Sequence, residues 1–222
     1  HFNFNGLNVN CAREENLCFR AYNLIKRQVN IPDIDLFLYK QIPFGAGLGG
    51  GSADATFTLK ALNELFSLNL GDDKIAEMAS SLGSDCAFFV QNSPCYVTGT
   101  GTTLCPLNLS LKGFYLVIVK PDVFVSTKEA YKMIIPRHPV VSLPDLIKAP
   151  VTEWKNTIIN DFEEPVFSKY PLIRQIREKL YESGAVYASM SGSGSAVYGL
   201  FEQKMTIAGE FDHCIVWQGF LS

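Results

Sequence analysis

The sequence predicts an α+β protein built from two domains. Three observations carry this prediction. Helical periodicities and short strand-like runs are mixed along the whole chain, with no repeat and no low-complexity segment. A strand candidate runs into a stretch holding Gly45, Gly47, Gly49, Gly50 and Gly51, and then into a helix. A second glycine turn, Ser191-Gly192-Ser193-Gly194-Ser195, separates two strand candidates near the C-terminal end. With 222 residues, 47% of them hydrophobic and 18% charged, the chain has the apolar mass for a real core, which excludes a disordered or coiled-coil chain.

The elements follow from periodicity. Residues 14–28 carry Leu17, Ala21, Leu24 and Ile25 on one helical face. Residues 34–42 alternate as a strand. A helix opening at Ser52 carries Ala55, Leu59, Leu62 and Phe66. Another starts near Asp72 with Ile75, Ala76, Ala79 and Leu82, and Gly83 stops it. Strands are expected near 94–98 and 103–107. Phe114–Lys120 reads as a buried strand ended by Pro121. Ser126-Thr127-Lys128-Glu129 is a capping box for a helix through Ile134. Four prolines (Pro136, Pro139, Pro144 and Pro150) break up residues 136–150. Residues 171–183 form an amphipathic helix with Leu172, Ile173, Ile176 and Leu180. Strands follow at Ala185–Met190, Ser195–Phe201 and Cys214–Trp217. The short connection Leu107–Gly113 places a boundary between domains 1–110 and 111–222.

Composition narrows the partners. Nineteen lysines and arginines against 22 aspartates and glutamates leave a net charge of −3. Nucleic-acid binders carry a basic excess to replace phosphate counterions, and none is visible, so a small-molecule partner is expected. The longest apolar run, Phe114–Val119, has six residues. A membrane span needs about 18, so no membrane association is expected. The opening His1-Phe2-Asn3-Phe4-Asn5 has neither a basic nor an apolar signal region. Cys11, Cys18, Cys86, Cys95, Cys105 and Cys214 form no C-x-x-C pair, and the histidines make no metal spacing. Buried or partly buried free thiols in a reducing cytoplasm are the expectation.

The richest segment is Pro43-Phe44-Gly45-Ala46-Gly47-Leu48-Gly49-Gly50-Gly51-Ser52-Ala53-Asp54. Glycine exposes backbone N–H groups and permits positive φ, so such a loop wraps an anion. A helix N-terminus at its end adds a positive dipole. Strand, loop and helix together read as a phosphate cradle, the alternative being close packing. Gly45-x-Gly47-x-x-Gly50 satisfies the dinucleotide fingerprint literally, but that reading needs a strand between the Ser52 and Asp72 helices. The P-loop reading fails because Gly51 stands where its lysine belongs. Ser52 is either an N-cap or a magnesium ligand beside phosphates, or both.

Gly83-Ser84-Asp85-Cys86-Ala87-Phe88-Phe89 places a carboxylate between a helix stop and an apolar run. Asp85 is either a helix cap or a base at the edge of a core. Phosphoryl transfer to an alcohol needs a carboxylate to take or orient the hydroxyl proton, which makes Asp85 the candidate if the loop binds a nucleotide. The Ser191–Ser195 segment reads as a hairpin turn or a closure over a ligand. It is not a nucleophile elbow, because Met190 stands where the first glycine would be.

Together the glycine-serine loop, the Gly-x-Asp segment and the late Ser-Gly-Ser-Gly, in that order, resemble the GHMP kinase superfamily. Glu15-Asn16-Leu17, Lys120-Pro121 and Trp217-Gln218-Gly219 extend the resemblance to nearly the whole chain. It implies a two-domain fold: a ribosomal protein S5 domain 2-like N-terminal domain and a ferredoxin-like C-terminal domain. It implies ATP and Mg2+ on Pro43–Ala53, with Ser52 at the metal and Asp85 as catalytic aspartate. It implies transfer to a hydroxyl of a small molecule, the 2-hydroxyl of a cytidylyl-linked methylerythritol in isoprenoid synthesis, with Thr127 and Tyr131 contacting that substrate. From the residues alone, Thr127 reads equally as a helix cap and Tyr131 as a core aromatic. The family's opening Pro-x-Ala-Lys segment has no counterpart in the sequence, and neither Lys40 nor Lys120 reads as a substitute for its lysine. An incomplete N-terminal domain with an unpaired edge or an exposed apolar face is therefore expected. Another GHMP kinase, acting on homoserine, mevalonate or a sugar, and a non-catalytic nucleotide binder are the alternatives.

Overall fold

The structure is a computed structural model that describes residues 1–7, 11–136, 138–205 and 211–222. It divides into two compact units. The first comprises His1–Phe44 and Gly49–Leu107, the second Gly45–Leu48 and Asn108–Ser222. The change of unit falls at Leu107/Asn108, three residues before the boundary drawn from sequence. Four residues of the glycine loop group with the second unit, where the sequence reading placed the whole loop in the first domain.

The first unit pairs strand β1 (Phe2–Gly6) in parallel with β2 (Leu36–Lys40), joined through helix α1 (Leu17–Gln28). Parallel neighbours need such a crossover. Helices α2 (Gly50–Leu65) and α3 (Asp72–Leu82), the short α4 (Phe88–Gln91) and the hairpin β3 (Cys95–Thr98)–β4 (Thr103–Pro106) follow. Its core joins Ala21 and Ile25 of α1, Ala55, Leu59 and Leu62 of α2, and Ile75, Met78, Ala79 and Leu82 of α3. These are largely the residues that the helical spacing selected. No strand lies between α2 and α3, which removes the dinucleotide-fold reading. β1, left unassigned from sequence, forms although asparagine is a poor strand former, because its backbone completes the ladder with β2. The two-stranded sheet leaves Phe4, Phe37 and Tyr39 exposed, at 48%, 65% and 62%.

The second unit is a four-stranded antiparallel sheet in the order β6-β7-β5-β8, formed from β5 (Tyr115–Lys120), β6 (Tyr187–Met190), β7 (Val197–Phe201) and β8 (Ile215–Phe220). Helices α5 (Thr127–Met133), α6 (Leu143–Leu146), α7 (Glu163–Lys169) and α8 (Pro171–Glu182) come between β5 and β6. β5 alternates: Tyr115, Val117 and Val119 meet Ile173, Ile176 and Leu180 of α8 in one core. On its other face Leu116 packs in a cluster with Trp154, Tyr187 and Leu200. Leu172, placed on the apolar stripe from sequence, is 46% exposed. Only Ile173, Ile176 and Leu180 of that stripe reach the core.

A buried carboxylate ties this unit together. Glu163 of α7 accepts from the Met190 amide at 2.7 Å, the Ser189 hydroxyl at 3.1 Å and Arg177 Nη1 of α8 at 2.5 Å. One side chain thus joins two helices to the sheet. Glu163→Ala leaves the Arg177 guanidinium and the Met190 amide without this acceptor, and should lower the unfolding free energy by about 3 kcal/mol. Urea denaturation checks this, with the exposed neighbour substitution Glu164→Ala expected within about 0.5 kcal/mol of the parent.

Candidate active site

The glycine loop opens where β2 ends, and its geometry explains much of its composition. Gly45, Gly47 and Gly49 all have positive φ. At Gly47 the constraint is severe: a Cβ would lie 2.0 Å from the Ser191 carbonyl oxygen. Here the loop backbone is laid directly on the late glycine turn. The Ser191 hydroxyl donates to the Gly47 carbonyl at 2.7 Å, and the Ala196 amide donates to the Ala46 carbonyl at 3.0 Å.

Gly49 is the N-cap of α2, in the left-handed region at φ 64°. The helix therefore begins two residues before the expected start at Ser52. Ser52 is its third residue and not its N-cap. The first α-type bond runs from the Ala53 amide to the Gly49 carbonyl at 2.9 Å. The amides of Gly50, Gly51 and Ser52 stand outside the helix's own ladder, at the positive end of its dipole. Gly50 answers to close packing, since a Cβ there would meet Ile42 Cγ2 at 2.6 Å. Gly51 has only Leu17 within 4 Å of that position, leaving its surroundings open.

Asp85 sits in the turn that links α3 to α4. It does not cap α4, whose N-cap is Ala87 with no side-chain bond. Asp85 is exposed, and its Oδ1 accepts from the Ser84 hydroxyl at 3.2 Å. Its backbone is fixed through its neighbour. Thr56 of α2 donates to the Cys86 carbonyl at 2.7 Å, and Ser52 lies near the Cys86 thiol. Ser52 and Thr56 are four residues apart on one helix face. The first turns of α2 therefore present the free amides and also hold the turn that carries Asp85.

Thr127 and Tyr131 belong to α5 of the second unit. Thr127 is the first residue of the helix, and Ser126 is the cap, accepting from the Glu129 amide at 3.4 Å. The Thr127 hydroxyl instead lies 3.1 Å from that of Ser193 in the glycine turn. Tyr131 is 63% exposed, with its ring edge-on to Phe162 at 4.9 Å, so it is not a core aromatic. The turn itself is an ordered hairpin connection. Asn160 donates from Nδ2 to the carbonyls of Met190 and Gly192, each at 2.8 Å, and Ser195 donates to Val123 O at 2.6 Å. No sequence motif pointed to Asn160. Lys40, set aside from sequence, is buried and ion-paired with Asp54 of α2.

The residues fit a nucleotide and a magnesium ion. Unladdered amides at a helix N-terminus suit phosphate oxygens. Among the described residues no group of three or more carboxylate, histidine or cysteine side chains forms a metal cage. Magnesium needs none, because it keeps several waters and takes phosphate oxygens with one or two protein oxygens.

These features define a class, and the comparisons place the chain in it. The model of the GHMP kinases N terminal domain matches residues 16–93, and that of the GHMP kinases C terminal domain matches residues 145–210. The chain belongs to the GHMP kinases. A curated relative from Bacteroides fragilis, 54% identical over 203 residues, is a 4-diphosphocytidyl-2-C-methyl-D-erythritol kinase, and the match covers 90% of this chain and 74% of the relative. A kinase of the same name from Parabacteroides distasonis is 48% identical, covering 100% of this chain and 82% of its own. Among solved structures, a 4-(cytidine 5'-diphospho)-2C-methyl-D-erythritol kinase superposes with a TM-score of 0.78 at 28% identity, covering 100% and 82% of the two chains. A homoserine kinase from Cytophaga hutchinsonii shares the fold, with a TM-score of 0.69 at 17% identity and the same coverage.

The thiol beside Asp85 is measurable. Burial pushes the Cys86 thiol up, the nearby Ser52 opposes this, and the Asp85 charge adds to it. Burial likewise raises Cys18. A raised thiol pKa leaves less thiolate at a given pH, hence slower reaction. An aromatic disulfide reagent at pH 8 should modify the exposed Cys105 first. Cys18 and Cys86 should react only when denaturant is added, as followed by peptide mass mapping.

Proposed function

We propose that this chain transfers the γ-phosphate of ATP to the 2-hydroxyl of 4-diphosphocytidyl-2-C-methyl-D-erythritol, a step of isoprenoid synthesis. The observation that carries the reading is the start of α2. Its amides of Gly50, Gly51 and Ser52 stand free, and the same helix fixes the Asp85 turn through Thr56 and Cys86.

In this mechanism Pro43–Ala53 wrap the triphosphate. The loop amides and the α2 dipole receive the charge that spreads over the transferring phosphoryl group, and being already oriented they need no rearrangement in the transition state. Ser52 would ligate magnesium through its hydroxyl, and the ion would neutralise phosphate charge. Asp85 orients the acceptor hydroxyl and takes its proton as the oxygen attacks in line. Thr127 and Tyr131 contact the acceptor, through a hydroxyl that already shares a partner in Ser193 and a side chain that is largely exposed. The names and identities of the relatives support this acceptor over homoserine or mevalonate.

Asp85→Ala should lower ADP release by about 10²–10⁴-fold in a coupled assay. ATP affinity by calorimetry should stay within about twofold, because the phosphate amides are untouched. Parent-like turnover in Asp85→Ala would remove the aspartate from the chemistry, and phosphorylation of homoserine or mevalonate at a comparable rate would reassign the acceptor.

A further inference from the structure

The most buried cation of the ion pairs among the described residues is Lys40. Its side chain is 4% exposed, against 29% for the next, Arg177. Lys40 is the last residue of β2, and Asp54 is the fifth residue of α2. Lys40 Nζ is paired with Asp54 Oδ2, whose side chain is 25% exposed. The entire glycine loop lies between these two residues in sequence.

This is an unfavourable place for an ammonium group. Burial strips its water. It lies 3.2 Å from the position a Gly50 Cβ would take, in the first turn of α2, where the helix dipole also disfavours positive charge. A buried ion pair is often no more stable than an apolar pair of the same volume, so stability alone does not account for it. What the pair supplies is geometry. A directional bond closes the loop across its two ends, on the side where Gly50 has no side chain to intervene.

We propose that Lys40 and Asp54 are positioning residues that clamp the ends of the glycine loop and so set the spacing of the amides that receive the ATP phosphates. This rests on the ATP reading of the loop above. Neither residue need touch the nucleotide. The clamp holds the last residue of β2 against α2 within two turns of its start, so that Gly50, Gly51 and Ser52 keep one arrangement before ATP arrives. Losing it leaves the amides in place chemically but lets their spacing vary.

The test measures ATP affinity by calorimetry, and KM for each substrate, in Lys40→Met, Asp54→Asn and the double variant Lys40→Met/Asp54→Leu. Melting temperature and circular dichroism report folding. The double variant leaves no unpaired buried charge and keeps a side chain of similar bulk at each position, so it is the decisive protein if a single variant unfolds. All folded variants should bind ATP roughly 10–100-fold more weakly. KM for the alcohol acceptor should stay unchanged, a split that general loosening of the fold would not produce. A folded double variant with parent-like ATP affinity, or a parallel rise in both KM values, would overturn the clamp. A parent protein that binds no ATP would instead overturn the loop assignment on which the clamp rests.

Discussion

At Gly47 the backbone of the glycine loop touches the backbone of the Ser191–Ala196 turn, with no room for a side chain between them. Much of the second unit is arranged around that contact. The turn presents the Ser191 hydroxyl and the Ala196 amide to the loop carbonyls. Asn160 holds the turn by two carbonyls, and Ser195 anchors it to the segment after β5. The Glu163 carboxylate fixes the end of β6 just before it. A glycine-rich segment is entropically costly to order. Here the cost is met by hydrogen bonds from a rigid sheet hairpin, so the segment is a built surface and not a floppy linker.

In the first unit the organising element is the start of α2. Its left-handed cap at Gly49 turns the chain into the helix, and the amides that follow stand free. One face of the helix holds the Asp85 turn through Thr56, while Asp54 takes the ammonium from the end of β2. The proposed anion site, the placement of the carboxylate and the proposed loop closure thus all draw on the seven residues Gly50–Thr56. Phosphoryl transfer asks for this economy, since its transition state needs oriented charge more than covalent chemistry.

Much of this was legible in the residue pattern. The apolar spacing of α1, α2, α3 and α8 selected their buried faces, the Ser126 cap was readable from its box, and the order of strand, glycine loop and helix was readable from composition. What was not legible depends on pairing across sequence distance. Lys40 and Asp54 are fourteen residues apart, and no local period relates them. Asn160 acts on a turn thirty residues away, so nothing local marks it. Glu163 looks like one of two ordinary helix-start acids, yet it is 5% exposed while Glu164 faces solvent. Composition announced the loop but not which unit Gly45–Leu48 would pack with, because Gly45 and Gly47 carry no side chain and the methyl of Ala46, though buried, has no feature that selects one core over another. The helix start was misplaced by two residues because Ser52 resembles a cap, whereas the left-handed backbone of Gly49 does the capping.

Everything proposed for the site depends on the amides at the start of α2, together with the loop before them, receiving the ATP phosphates. Amide NMR of the ¹⁵N-labelled chain, titrated with a magnesium complex of a non-hydrolysable ATP analogue, reads those groups one by one. The largest shifts are expected at Gly47, Gly49, Gly50, Gly51 and Ser52, with downfield movement of amides that gain a phosphate acceptor. Saturable binding whose shifts fall elsewhere, leaving these five amides unmoved, would contradict the assignment.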